Sequence, residues 1–231
     1  TINSVTLPTL ASRQSNIESM KAVVRRIVSM TTYLIFPLMG GLLIVAPRLI
    51  PFLLTDKWLS CIPLLQWCCL IYSFNTLRSI NANVFFAIGK SKVCFRIELI
   101  RCLLLLTVMV FVLCVFNLNI YVFVASNACV SLIVALITQF WAKKYIGYKY
   151  REMFSDINPS LVLTVIMAVF VYFIGYLPIT DTPLLFVQIL FGSVVYILLS
   201  MLFKIKSFDE VVQIAKGMLK KKYASEDKHF V

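Results

Sequence analysis

The sequence predicts an all-α integral membrane protein with six membrane-crossing helices. Three observations carry that prediction. Of 231 residues, 61% are hydrophobic and 14% are charged, whereas a soluble domain carries about a quarter charged residues. The apolar residues fall into six blocks, each long enough to cross a ~30 Å hydrocarbon core with ~20 residues at ~1.5 Å apiece. The lysines and arginines gather between alternate blocks, the pattern of cytoplasmic loops.

Residues 1–14, TINSVTLPTLASRQ, read as the end of a helix and its exit. The chain begins with Thr1 and shows no signal-peptide order of regions, so it is expected to be the C-terminal piece of a longer protein. Residues 15–28 form a cytoplasmic amphipathic segment with Ile17, Met20, Val24 and Ile27 on one face. Ser15 and Glu18 stand at capping-box spacing before it. The six blocks run over 29–54, 62–88, 97–117, 119–141, 159–178 and 183–203. The four within 29–141 form a core. The pair within 159–203 is nearly uncharged, with Gln188 its most polar interior residue, and reads as lipid-facing and accessory. Residues 204–231 form a basic amphipathic tail, with Ser207 and Glu210 as a second capping box and Phe208, Val211, Val212, Ala215, Met218 and Leu219 on its apolar face. Both amphipathic stretches read as interfacial anchors attracted to anionic lipid, with docking of a partner as the alternative.

Orientation follows from the loops. Lys21, Arg25 and Arg26 precede the first block; Lys90, Lys92 and Arg96 lie between the second and third; Lys143, Lys144, Lys149 and Arg151 lie between the fourth and fifth; Lys204 and Lys206 follow the sixth. The alternate loops hold Arg48 and Lys57, no charge at all, and Asp181. Both ends of the chain are therefore expected in the cytoplasm.

The same placement accounts for the net charge of +12 without nucleic acid, which such a charge would suggest on a soluble protein. The seven cysteines lie mostly inside apolar blocks without metal-ligand spacing, and read as small packing residues. The only histidine, His229, lies in the polar tail. No metal site, no cofactor and no catalytic residue is expected.

Two features break the apolar pattern. The first block, FPLMGGLLIVAPRLIPFLL, contains Pro37, Gly40, Gly41, Pro47 and Pro51. Proline removes a backbone donor and bends a helix, so Pro37, Gly40, Gly41 and Pro47 are hinge candidates; a tolerated kink with a Pro-rich membrane exit is the alternative. The second block contains Arg78, about ten residues or ~15 Å from the turn at Gly89. An arginine facing lipid at that depth costs roughly 2.5–3.5 kcal/mol. Asn75, Arg78, Ser79 and Ala82 share a helical stripe, with Asn83 beside Ser79. Arg78 either faces a wet cavity or snorkels to the interface. Glu98 and Arg101, three residues apart, read as an interfacial pair. In the fourth block Asn127, Ser131 and Thr138 form a small-polar face suited to helix packing, or, as the alternative, to lining a cavity.

These motifs resemble bacterial polysaccharide exporters of the Wzx type. FPLMGGLLIVAPRLIPFLLTDKWLSCIPLLQ is similar to that family's Pro-containing helix, "AP" exit, tryptophan turn and "PLL" helix start. Thr55 stands where the family usually has glycine. NVFFAIGKSK matches the family's turn at Ala87 and Gly89, and VTLPTLASRQSN resembles its helix exit, with Leu7 in place of Phe. The likeness is best over residues 1–100 and continues as hydropathy to about 203.

The resemblance implies the multidrug/oligosaccharidyl-lipid/polysaccharide (MOP) superfamily, of which this chain would be the last six of fourteen helices. It implies a flippase that carries a polyprenyl-pyrophosphate-linked oligosaccharide from the cytoplasmic to the periplasmic leaflet of the bacterial inner membrane for surface polysaccharide (lipopolysaccharide or exopolysaccharide) biosynthesis. Its partners would be that cargo, membrane lipids and polysaccharide polymerase machinery, with no nucleic acid. Arg78, Asn75, Ser79 and Asn127 are the substrate-passage candidates, although the family has no firm motif at Arg78. The competing readings are a MATE-like drug/cation antiporter and an integral membrane enzyme of glycan assembly. The first would favour an acidic cavity. The second needs clustered acids or histidines, where the outer face offers Asp56 and Asp181 alone.

Overall fold

The computed structural model describes residues 17–115, 119–178 and 180–213. These residues are helical throughout, joined by short turns. The elements are α1 (Ile17–Leu54), a 3-10 turn (Asp56–Cys61), α2 (Ile62–Ala87), α3 (Ser91–Met109) continued by a π-helical segment (Val110–Val115), α4 (Ile120–Ile146), α5 (Tyr150–Ile174) and α6 (Asp181–Leu202). Residues 206–213 add two turns of helix.

Four helices, α1, α4, α5 and α6, are long and apolar enough to cross a membrane, which makes this a multi-pass membrane protein. The sequence predicted six crossings. The remaining two, α2 and α3, have the length but are more polar. Asn75, Arg78, Ser79, Asn81 and Asn83 lie on α2, and Lys92, Arg96, Glu98 and Arg101 on α3.

α1 is the spine. It packs against α2 on one side and against α5 and α6 on the other, while α4 packs on α2 and α3. Two cores result. One joins the first turns of α1 to α2, α3, α4 and the start of α5 through Val24, Val28, Val84, Phe85, Val134 and Ala142. The other joins the middle of α1 to α5 and α6 through Tyr33, Val45, Leu163, Met167, Leu185 and Tyr196. The lysine-rich turns and the start of α1 share one end of the bundle, called here the basic end.

The amphipathic segment 15–28 and the block 29–54 are, from Ile17 onward, a single 38-residue helix. Its apolar face meets protein: Met20, Val24 and Val28 are at most 1% exposed. Of the predicted face, Met20 and Val24 are taken up by the core, while Ile17 is exposed and Ile27 half-buried, so part of the apolar stripe stays open. The described start of the tail packs on the bundle. Phe208 and Val211 pack on the second core, Ser207 Oγ lies 2.6 Å from Ser29 Oγ, and Glu210 pairs with Arg26 at 3.2 Å. The predicted features at 1–14, Ser15, Ala215, Met218, Leu219 and His229 lie outside the described residues, as does the Asp181 side chain.

α1 runs as one continuous helix through Pro51 and through the hinge candidates Pro37, Gly40, Gly41 and Pro47. Packing accounts for one of these residues. A Cβ at Gly40 would lie 2.6 Å from Thr164 Cγ2 of α5, so the glycine is what lets the two helices approach, as small residues do in membrane bundles. The α2–α3 turn uses Gly89 at φ 69°, a region open to glycine at no steric cost.

Candidate functional site

The site is built around Arg78, on the α2 face toward α3. The tight Gly89 turn folds α3 back along α2, and this brings Glu98, twenty residues on, opposite Arg78. Arg78 Nη1 donates to Glu98 Oε2 at 2.9 Å. The other carboxylate oxygen, Oε1, accepts from Arg101 Nε at 2.8 Å and also from Arg101 Nη2. One carboxylate therefore serves two guanidinium groups, and the cluster keeps one positive charge in excess. Arg78 Nε is buried and has no hydrogen-bond partner among the described residues. The cluster borders a cavity of about 390 Å³ lined by Arg78, Ala82, Phe85, Cys94, Glu98 and Thr138, among others.

Arg78 and Thr138 reach this cavity, while Asn75, Ser79 and Asn127 are not among its lining residues. Asn75 and Ser79 are half-buried on α2, and Asn127 half-buried on α4. The sequence assigned Glu98 to Arg101 alone. The bond to Arg78 depends on the antiparallel register of α2 and α3, which no spacing within one helix reveals.

A second polar system, unforeseen in the sequence, crosses the core nearer the basic end. Asn81 Nδ2 donates to Gln139 Oε1 at 3.1 Å, and Gln139 Nε2 donates to the Tyr148 carbonyl at 2.9 Å. Tyr148 Oη donates to Asp156 Oδ2 at 3.1 Å. Asp156 also accepts from Arg25 Nε at 2.9 Å and from Nη2 at 2.7 Å. Glu152 pairs with Lys21 at 2.7 Å. The chain of bonds ties α2, α4, α5 and α1 together. Gln139 and Tyr148 are fully buried, where an unpaired polar group is costly and a paired one fixes the packing. Burial, with the Asp156 carboxylate beside it, pushes the Tyr148 hydroxyl far above its ordinary pKa, so it remains a donor.

At the opposite end Arg48 Nη2 donates to the Gly175 carbonyl at 2.7 Å and Nη1 to Gln188 Oε1 at 3.2 Å. Gln188, the polar interruption in the last block, also donates to the Val171 carbonyl at 3.0 Å. It thus closes the α5–α6 turn onto α1. Among the described residues no group of three His, Cys, Asp or Glu is placed to hold a metal ion.

The bundle can be set against solved structures. Its fold is similar to that of MurJ. The structure of the lipid II flippase MurJ in its inward closed conformation matches with a TM-score of 0.74 at 18% identity, covering 88% of this chain and 42% of that one. The likeness is one of fold, and this chain spans less than half the length of MurJ. Residues 1–63 match the model of a family described as polysaccharide biosynthesis protein. That stretch includes α1 and the turn holding Thr55. No curated protein matches the chain. The resemblance read from the helix-exit and tryptophan-turn motifs thus has support from a family match and from a fold.

Proposed function

We propose that this chain is the C-terminal part of a transporter that moves a lipid-linked oligosaccharide from the cytoplasmic to the periplasmic leaflet of a bacterial inner membrane. In this reading all six helices cross the bilayer, both ends are cytoplasmic, and eight further helices complete the transporter. The observation that carries it is the excess positive charge at the cavity between α2 and α3, in a fold similar to a lipid II flippase.

A lipid-linked oligosaccharide presents a pyrophosphate and a polar sugar. A planar guanidinium suits phosphate oxygens in paired hydrogen bonds. Arg78 has one buried donor, Nε, without a protein partner among the described residues. Asn75, Ser79 and Asn127 supply amide and hydroxyl groups for the sugar in conformations that open the cavity further. Pro37 and Pro47 are the points at which α1 bends in that cycle, because each lacks the donor that would hold the helix straight. A cation antiporter would need a free acid in the membrane interior; Glu98 is engaged by two arginines. A membrane enzyme would need acids free to act, and Glu152 and Asp156 are each paired with a cation of α1.

The test is surface polysaccharide in a strain lacking its own transporter, with membrane abundance measured alongside. Arg78→Ala is expected to lose most export at normal abundance. Arg78→Lys should keep part of it, since the charge stays and the planar fork is lost. Arg78→Glu should be at least as damaging as alanine. Full export by the alanine variant overturns the proposed role of Arg78.

A further inference from the structure

The cations at the basic end divide into two sets. Those of α1 are neutralised within the protein: Lys21 by Glu152 at 2.7 Å, Arg25 by Asp156 at 2.7 Å and Arg26 by Glu210 at 3.2 Å. Lys90 of the α2–α3 turn, Lys92 and Arg96 of α3, Lys143 and Lys144 at the end of α4, Lys149 and Arg151 around the start of α5, and Lys204 and Lys206 beyond α6 are exposed, and none pairs with a carboxylate among the described residues. Two of these nine lie over aromatic rings. Lys90 Nζ sits over the Tyr145 ring, 5.7 Å from its centroid, and Lys144 Nζ over the Trp141 ring at 5.4 Å. The two rings stack on each other with centroids 6.0 Å apart and planes 14° off parallel. Phe140, more than half exposed, meets the edge of Trp141.

From this arrangement we propose that Lys90, Tyr145, Trp141 and Lys144 form a binding site for the headgroup of an anionic phospholipid in the leaflet facing the basic end. Cation–π attraction draws each exposed ammonium toward its ring face, and an ammonium has three donors, so donors remain for a ligand. Less side-chain freedom is then lost on binding than for an unrestrained lysine. Trp and Tyr are the residues that settle at headgroup depth, and the exposed Phe140 ring extends the surface into the acyl region. A carboxylate would have neutralised the lysines, as carboxylates do for the α1 cations. Here that role is left to a phosphate from outside the protein. None of the four residues lines the Arg78 cavity, though Tyr145 meets the cavity-lining Phe85 edge-on at 6.3 Å, and the proposal does not depend on what is transported.

This chain has three tryptophans, so Trp58→Phe with Trp67→Phe, together with Phe in place of any tryptophan in the rest of the transporter, leaves Trp141 as the reporter. The full transporter carrying these changes is placed in nanodiscs of phosphatidylcholine containing a fixed fraction of brominated phosphatidylglycerol or brominated phosphatidylcholine. Brominated phosphatidylglycerol is expected to quench Trp141 more strongly. The preference should fall by roughly fivefold for each lysine removed in Lys90→Gln and Lys144→Gln. Raising ionic strength from 0.05 to 0.5 M on the unsubstituted lysines should weaken it in the same direction, a measurement that stands even if the lysine variants fail to fold. Equal quenching by the two lipids overturns the site, as does a preference that survives both lysine substitutions or the added salt. Loss of the preference on adding inorganic phosphate at constant ionic strength would assign the site to a free phosphate and overturn the lipid assignment.

Discussion

Thr55 links the family motif to a measurable energy. It follows α1 directly and holds φ 72° and ψ 167°, a region occupied almost only by glycine, in which other residues store roughly 1–3 kcal/mol of strain. The β-branched side chain offers nothing in return: it is exposed and makes no capping hydrogen bond. The backbone bonds at this corner, Thr55 N to the Pro51 carbonyl at 3.1 Å and Trp58 N to the Thr55 carbonyl at 3.2 Å, survive any substitution that keeps the N–H. Thr55→Gly therefore removes the strain and loses about 0.4–1 kcal/mol to the greater freedom of the unfolded chain. The net expectation is a stabilisation of roughly 0.5–2 kcal/mol, unusual in that most substitutions destabilise. The assay is equilibrium unfolding of the purified protein in detergent by titration with SDS, with Thr55→Ala as the control that retains a Cβ and hence most of the strain. A glycine variant no more stable than the alanine variant would refute the reasoning and show that this corner relaxes to an ordinary conformation.

Asp156→Asn removes the charge that pairs with Arg25 and is expected to cost about 1–3 kcal/mol, below the range for a fully buried pair because the Arg25 side chain is 39% exposed; the exchange Arg25→Asp with Asp156→Arg should recover part of that loss in the same unfolding assay. Gly40→Ala is expected to destabilise by about 1–3 kcal/mol through overlap with Thr164 Cγ2, and Thr164→Ser should rescue it, since serine drops the methyl group and keeps the bond from Oγ to the Ser160 carbonyl. For the topology, single cysteines in a Cys-less background should label from outside when placed near Asp181 and only from inside when placed near Lys144; the reverse pattern would invert the proposed orientation.

The amino-acid sequence by itself determined the helical class and the places where the chain turns. Blocks ending at Leu54 and beginning at Ile62 coincide with the end of α1 and the start of α2, because the charged pair Asp56 and Lys57, flanked by Pro51 and Pro63, falls where the apolar run stops. The apolar blocks near 97 and 159 begin inside α3 and α5, whose helices start at Ser91 and Tyr150. Hydropathy registers the apolar part of a helix, and these two extend in polar residues beyond it. Arg78 was legible because a guanidinium within an apolar block needs compensation whatever the fold. What compensates it was not legible. Glu98 comes opposite Arg78 only through the register of α2 against α3, and Asp156 meets Arg25 across 131 residues of chain. The departure at Thr55 was visible as a letter, but its strain exists only as a backbone angle. Local pattern is a property of neighbours in the chain. Partner choice for a buried charge, the approach distance that requires Gly40, and the divided fate of the basic residues are properties of helices packed side by side, so tertiary structure alone decided them.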